Sequence, residues 1–247
     1  MKLSIISPTY NEAGNVGRLI GELEKILHGM DYEVVISDDD SPDLTWARVE
    51  EIGLRNPRVR ALRRTSNRGL GPSVVDGFSA ATGEAVACID ADLQHDPSIL
   101  PKMLKQLESG CDLVVATRYM PGGGTANWGR IRRFGSWACT KLAQVFLGVK
   151  LRDPMSGYFM MRRDDFLMIR DGLNVRGFKI LLEIAAHMRP RQLGEVPYTF
   201  GPRAVGESKL SNKIVLAYLS QVWRLYRLPR AAQYSSNEAF SVRGARG

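Results

Sequence analysis

Seven consecutive residues, Asp90-Ala91-Asp92-Leu93-Gln94-His95-Asp96, place two carboxylates at i and i+2 and an amide oxygen at i+4. Hard oxygen donors in this spacing suit Mg²⁺ or Mn²⁺ better than zinc, and such ions commonly share their shell with substrate phosphates. The competing role is to cap a helix opening at Pro97, but a cap needs only one carboxylate. His95 reads as a residue behind the ligands or at the surface rather than as a ligand. A second acidic cluster, Asp38-Asp39-Asp40-Ser41-Pro42-Asp43, packs four carboxylates into six positions. Charges so close repel unless something answers them. Asp43 alone is explicable as a cap, whereas the other three point to ribose hydroxyls or an indirectly held cation.

Pro8-Thr9-Tyr10-Asn11-Glu12 stands where a dinucleotide-binding fold carries G-x-G-x-x-G; that fingerprint is absent, and so is a Walker A sequence. An aromatic ring and a carboxylate at this place can stack on a base and accept from its edge or its ribose. The plainer alternative is a strand-to-helix turn capped by Asn11. On the basic side, Arg118 follows an apolar run, and Arg203-Ala204-Val205-Gly206-Glu207-Ser208-Lys209 sets Arg and Lys around a glycine. Such a loop can bend over a phosphate, although taken alone it also reads as a solvated surface loop.

These residues need a scaffold that gathers them. Apolar runs rich in Val and Ile at 3–7, 33–37, 59–62, 85–90 and 113–117 read as buried strands, and segments at 15–28, 43–55, 70–82 and 97–109 have helical spacing. Strict alternation predicts an α/β fold, a doubly wound and mostly parallel sheet whose ligands bind beyond the carboxyl ends of the strands. Every acidic motif above lies at such an end. After Arg118 the pattern changes to a Gly-rich loop at 120–129, an apolar helix near 133–148, a strand near 157–162, a helix near 178–188, a strand near 192–200 and a helix near 210–228. Residues 229–247, small and polar with Arg243 and Arg246, read as a disordered tail.

Composition narrows the classes. With 247 residues, 44% of them hydrophobic, the chain buries a full-sized core, so disorder throughout is excluded. Cys88, Cys111 and Cys139 are too far apart for a paired metal motif and fit reduced thiols. The N-terminal stretch turns polar at Asn11, too early for a signal peptide, and no run approaches the roughly 18 apolar residues of a spanning helix, so a cytosolic location is expected. Net charge is +8, unevenly spread: residues 1–123 carry 13 Lys and Arg against 18 Asp and Glu, and residues 124–247 carry 21 against 8. The acidic half suits cations; the basic half suits phosphates, nucleic acid or an anionic membrane. Without zinc-finger spacing, a basic region with heptads or an RNP-type motif, nucleic acid is not expected as a partner. Arg130, Arg132 and Arg133 beside Trp128, Phe134 and Trp137 favour a lipid interface, the alternative being that these helices pack in the core.

Taken together, PTYNE (8–12), SDDDSPD (37–43), NRGLG (67–71), DADLQHDP (90–97), TRY (117–119), DPMSGYFMMRR (153–163) and GEVPYTF followed by R-x-x-G-E-S-K (194–209) resemble the family 2 glycosyltransferases. The resemblance is strongest to the polyprenyl-phosphate mannosyltransferases, also called dolichol-phosphate mannose synthases, and covers roughly residues 1–225. It implies a glycosyltransferase A-type nucleotide-sugar fold in one catalytic domain over 1–228, with a nucleotide-sugar and metal half (1–118) and an acceptor half with interfacial helices (119–228). It implies that Pro8, Tyr10, Glu12, Ser37 and Asp39 hold the nucleoside. Asp90, Ala91, Asp92 and Gln94 are implied to surround Mg²⁺ or Mn²⁺ and the diphosphate, with Asp90, Asp92 and Gln94 on the metal. Arg118, Arg203 and Lys209 are implied to hold the donor and acceptor phosphates and, with Asp92, to be catalytic.

The reaction so implied is inverting transfer of mannose from GDP-mannose to a polyprenyl phosphate, on the cytosolic face of a membrane to which the protein attaches peripherally. Rival readings are a UDP-sugar-dependent hexosyltransferase and an inactive nucleotide-sugar-binding protein. Leu44 departs from the family pattern, which has Gly there. The C-terminus departs as well, because some relatives carry transmembrane helices and some use a small membrane partner subunit, whereas this sequence shows one amphipathic helix with Trp223 and Tyr226.

Overall fold

A computed structural model describes residues 1–125, 130–175, 179–201 and 212–227. The first half alternates β1 (Leu3–Thr9), α1 (Ala13–Ile26), β2 (Tyr32–Asp38), α2 (Thr45–Gly53), β3 (Val59–Arg63), α3 (Leu70–Ala80), β4 (Ala85–Cys88), α4 (Leu100–Glu108) and β5 (Leu113–Thr117). The second half adds β6 (Gly124–Thr125), α5 (Arg130–Leu147), β7 (Phe159–Arg162), α6 (Arg163–Ile169), α7 (Ile180–Met188), β8 (Leu193–Pro197), β9 (Thr199–Phe200) and α8 (Asn212–Tyr226). Seven strands form one sheet in the order β3-β2-β1-β4-β7-β5-β8, while β6 and β9 form a separate two-stranded pair. All pairs in the large sheet are parallel except those of β7, which runs antiparallel to both β4 and β5. The expected doubly wound, mostly parallel α/β sheet is therefore present.

Both faces of the sheet are covered, which is why its strands are continuous Val/Ile runs rather than alternating ones. Leu3, Ile5, Val34, Ile36, Val114 and Met160 point to α1, α2 and α4; their neighbours Ile6, Val35, Val86, Val115 and Met161 point to α3, α6 and α7. On the second face Phe78 sits edge-on to Phe159 (5.8 Å) and Phe166 (5.1 Å). Each such fully buried side chain contributes about 1.5–3 kcal/mol.

Differences from the sequence reading are local and have causes. The run at 85–90 leaves the sheet at Cys88, because Asp90 N–H turns to a side chain rather than to a strand. The helix expected at 97–109 opens as a 3₁₀ turn, Pro97–Ile99, with Asp96 accepting from Ser98 N–H as the cap. The run at 192–200 divides into β8 and β9, and α6 is an additional helix whose seven residues are too few for a periodic signal. Asn11 does not cap α1. The N–H groups of Asn11, Glu12 and Ala13 go instead to Ser41 Oγ (3.0 Å), Thr45 Oγ1 (3.0 Å) and Asp43 Oδ2 (3.0 Å) on the neighbouring loop.

Leu44 is left-handed, with φ 60°, and 57% exposed. Glycine takes this conformation without the Cβ clash, which accounts for the family preference and for the strain here. Leu44→Gly is expected to raise stability by about 0.5–1 kcal/mol with unchanged m-value in urea unfolding. A lower midpoint would show that the exposed leucine has packing partners worth more than the strain.

In α8, Tyr218, Gln221, Val222 and Leu225 are buried at helical spacing, while Leu216, Leu219, Trp223 and Tyr226 are exposed. The buried edge is held by fully buried Glu183 of α7, which accepts from Gln221 Nε2 (2.8 Å) and from Arg224. The tail expected to be disordered at 229–247 lies outside the described residues.

Candidate active site

The antiparallel course of β7 builds the site. Residues just before it arrive at the same rim as those just after β4 and β5, so the 153–157 turn meets both Asp90 and Arg118. Asp153, fully buried, accepts from Arg118 Nε (2.7 Å) and Nη2 (2.7 Å) in a two-point ion pair. Burial pulls the Arg118 pKa down, but hydrogen bonds and charge from Asp153 more than reverse this and hold the guanidinium charged. The same guanidinium lies 5.6 Å from the Phe200 ring centre. Ser156 Oγ donates to Ala116 O (2.8 Å), fastening the turn to β5.

The Asp90–Asp96 loop is folded tightly on itself. Leu93 has φ 61°, and Asp92, only 6% exposed, accepts from Gln94 N–H at 3.1 Å. Gln94 is tied to Gly201 twice: its Nε2 donates to Gly201 O (2.9 Å), and Gly201 N–H donates to Gln94 O (2.9 Å). Gly201 is the last described residue before Arg203 and Lys209, which themselves lie outside the described residues. His95 is buried, stacked on Tyr158 (5.1 Å) and edged by Tyr198 and Phe200. Burial pushes its imidazole down to about 4, outweighing the opposing charge of Asp92, so the ring is neutral. Phe200 touches both His95 and Arg118, which places the acidic loop and the Arg118–Asp153 pair around one aromatic cluster.

The donor set fits a hard divalent cation. Asp90 is partly exposed at the rim, and a Cβ on Gly157 would stand 3.1 Å from Asp90 Oδ2, so this glycine keeps the carboxylate's surroundings open. Among the described residues no three His, Cys, Asp or Glu side chains gather into a metal cage. Two carboxylates and an amide oxygen are what a cation completed by substrate phosphate needs from the protein.

The second acidic cluster differs from expectation. Its charges are answered within the chain: Asp39 accepts from Arg64 and from Gly69 N–H (2.6 Å), and Asp40 pairs with Arg63 (2.7 Å) and Arg68 (2.6 Å). Asp38 accepts from Thr9 Oγ1 (2.8 Å) and from Ser41 N–H (2.8 Å), and so shapes the loop. Arg64 is itself buried and bonded to Asp76 (2.7 Å) and Asn67 O (2.7 Å). Of the residues implied to hold a nucleoside, Tyr10 is 54% exposed at the end of β1, Pro8 pairs in register with Ser37, and Glu12 accepts from Asn15 Nδ2 (2.7 Å). Ser37 lies beneath the rim, fully buried, its hydroxyl donating to Ser73 O at 2.9 Å.

Asp153, Gly157 and Arg64 carry no role in the sequence reading. Asp153 stands in a motif that the resemblance singles out, but only the reversed direction of β7 shows its partner.

A mostly parallel sheet flanked by helices, with acidic and basic side chains gathered at its carboxyl rim, defines the class, a glycosyltransferase A-type nucleotide-sugar fold. The fold is shared with glucosyl-3-phosphoglycerate synthase from Mycobacterium tuberculosis, crystallised with Mn²⁺, UDP-glucose and glycerol 3-phosphate. That match has a TM-score of 0.61 and 21% identity over 90% of this chain and 80% of the other. Mannosyl-3-phosphoglycerate synthase from Rubrobacter xylanophilus matches with a TM-score of 0.64 and 19% identity, over 92% and 74%.

Residues 4–168 match the model for glycosyl transferase family 2, and the chain belongs to that family. It is 39% identical to the dolichol-phosphate mannosyltransferase of Pyrococcus furiosus over 92% of its own length, and spans 64% of that relative. It is 36% identical to the Saccharomyces cerevisiae dolichol-phosphate mannosyltransferase (92% of this chain, 87% of the relative) and 34% identical to the undecaprenyl-phosphate mannosyltransferase of Micrococcus luteus (87% and 90%).

Proposed function

We propose that this glycosyltransferase moves mannose from GDP-mannose, with inversion at the anomeric carbon, onto the phosphate of a polyprenol such as dolichol phosphate or a bacterial polyprenyl phosphate. The observation that carries this reading is the meeting at one rim of the Asp90–Gln94 loop, the Arg118–Asp153 pair and Gly201, from which the Arg203–Lys209 segment departs. The names of the relatives supply the substrate class. The catalytic unit is taken as one domain over 1–228, with donor binding in 1–118 and acceptor binding in 119–228.

Pro8, Tyr10, Glu12, Ser37 and Asp39 are assigned to the nucleoside side, Ser37 acting from below by fixing the strand end. Asp90, Asp92 and Gln94 would hold Mg²⁺ or Mn²⁺, which when bound supplies Lewis-acid charge to the leaving diphosphate. Ala91, with no side chain beyond Cβ, would let the loop backbone approach that diphosphate. A phosphate monoester has a second pKa of about 6, so the acceptor is already mostly a dianion at neutral pH and needs no side-chain base. What the chain supplies is alignment and positive charge. Arg118, fixed by Asp153, together with Arg203 and Lys209, keeps the anionic acceptor and the diphosphate from repelling each other.

The test is to incubate the protein with radiolabelled GDP-mannose, UDP-glucose and other nucleotide sugars, each with dolichyl or undecaprenyl phosphate, and count label in the lipid phase. Label entering from GDP-mannose alone is expected. Entry from a UDP-sugar instead would replace the mannosyl reading by the hexosyl one, and no entry from any donor would leave a binding protein.

Peripheral attachment at the cytosolic face of a membrane belongs to the same proposal. Among the described residues no helix is long and apolar enough to cross a bilayer. The α5–α8 pair nevertheless exposes Trp137, Val145, Phe146, Trp223 and Tyr226. Tyr226 touches both Phe146 (5.9 Å) and Trp223 (6.1 Å), and Arg227 lies over Trp223 at 4.7 Å. Aromatic rings beside basic residues favour a lipid interface, and each basic group near an anionic surface adds about 1 kcal/mol. Flotation with anionic liposomes at low salt is expected, and its loss in Trp223→Glu. A wild-type chain that stays at the bottom of the gradient would shift membrane attachment to a small partner subunit.

A further inference from the structure

We propose that His95 is a positioning residue for the cation site: an immobilised imidazole that holds the Asp90 main chain by a hydrogen bond, stands behind its carboxylate, and so sets the loop's affinity for a divalent cation. This rests on reading Asp90, Asp92 and Gln94 as the cation's protein ligands.

One edge of the ring faces one residue. Nδ1 accepts the Asp90 N–H at 3.1 Å, which assigns the ring proton to Nε2, and Nε2 lies 3.7 Å from Asp90 Oδ2. That separation is too long for a direct hydrogen bond, so the ring holds Asp90 through its main chain and stands next to its carboxylate. The ring cannot swing away. Tyr158 stacks on it with planes 27° apart, and Tyr198 and Phe200 close its edges at 5.6 and 5.7 Å. Tyr158 is in turn anchored by its hydroxyl, which donates to Asp96 O at 3.2 Å, one residue beyond His95. The loop is thus stapled across its own ends by a group that is 3% exposed and cannot itself reach a ligand in the cleft.

A simple packing role would need none of this polarity. Three aromatic neighbours would hold a phenylalanine equally well, and the nitrogen set against Asp90 N–H would then be absent. Groups placed behind metal ligands set ligand orientation, and replacing them typically costs about 10–100-fold in metal affinity.

The experiment titrates Mn²⁺ into the full chain, alone and with GDP, and reads free Mn²⁺ by electron paramagnetic resonance in wild type, His95→Phe and His95→Asn. In His95→Asn the amide oxygen can replace Nδ1 as the acceptor. Expected are a 10- to 100-fold loss of Mn²⁺ affinity in His95→Phe, partial recovery in His95→Asn, and folded proteins by circular dichroism. Mn²⁺ affinity in folded His95→Phe within twofold of wild type would overturn the proposal. Should His95→Phe not fold, His95→Asn decides alone: affinity equal to that of His95→Gln, whose amide nitrogen replaces only Nε2, would overturn the grip on the main chain. A wild-type chain that takes up no Mn²⁺ in either condition would instead overturn the cation reading beneath it.

Discussion

Asp92→Asn is expected to lower mannosyl transfer by about 10³-fold or more at saturating Mg²⁺ or Mn²⁺, with the fold intact. The asparagine keeps an oxygen to accept the Gln94 N–H, so the loop retains its 3.1 Å closure, and only the negative charge is lost. Asp92 as a residue is only 6% exposed, which leaves little room for a bulk ion to replace its charge. On the proposed reading, one of the two carboxylates that would hold the cation is then gone, so the cation would bind weakly and the leaving diphosphate would lack its counter-charge. Steady-state transfer into the lipid phase checks this, with thermal unfolding as the control for folding. A near-normal rate in Asp92→Asn would remove the cation from the Asp90–Gln94 loop.

Asp153→Ala is expected to destabilise the protein by about 3–5 kcal/mol, the second-largest single effect, because it removes the two-point carboxylate partner of a buried guanidinium. Arg118 cannot shed its proton to escape, and Asp153 is fully buried, so water does not replace the lost partner. Replacing both residues by leucine removes the uncompensated charge, so the double variant should recover most of the stability. It should not recover transfer, since no cation then stands at the end of β5. Urea midpoints for the two singles and the double give the coupling, and lipid-phase label gives the function. A cost under about 1 kcal/mol for Asp153→Ala would mean that the pair is screened as a surface bridge is.

The first five strands are legible because parallel strands buried on both faces must be apolar throughout, and their polar ends stand out against that background. Asp90, Asp92 and Gln94 are found that way. The second half is less legible because its main structural event is a change of direction. The FMMR run of β7 reads as a strand in either orientation, yet only the antiparallel one brings Asp153 to Arg118 and Gly157 to Asp90. The arginines that answer Asp39 and Asp40 escape for a related reason. Arg63, Arg64 and Arg68 sit about 25 positions away in sequence and become neighbours only because β3 lies beside β2 at the sheet edge. His95 is visible as a residue type, but its burial is set by Tyr158, Tyr198 and Phe200, three aromatics from the far half of the chain. Leu44 is the reverse case, a sequence oddity that the left-handed turn accounts for.

The most direct measurement of the claim that the acceptor phosphate attacks unaided, with the chain supplying only charge and alignment, is the pH dependence of transfer at low polyprenyl phosphate. The rate is expected to climb tenfold per pH unit up to about pH 6, where the phosphate's second proton is lost, and then to level off. Below that pH the acceptor is protonated and less nucleophilic; above it no further group need ionise. Glu195, on β8 beside Arg152 and Asp153, is the side chain to replace as a control, because burial raises its carboxyl above the ordinary carboxylate value. An unmoved break in Glu195→Gln is the predicted result. A break that shifts or vanishes in that variant would contradict the claim, since a carboxylate of the protein would then be taking the proton.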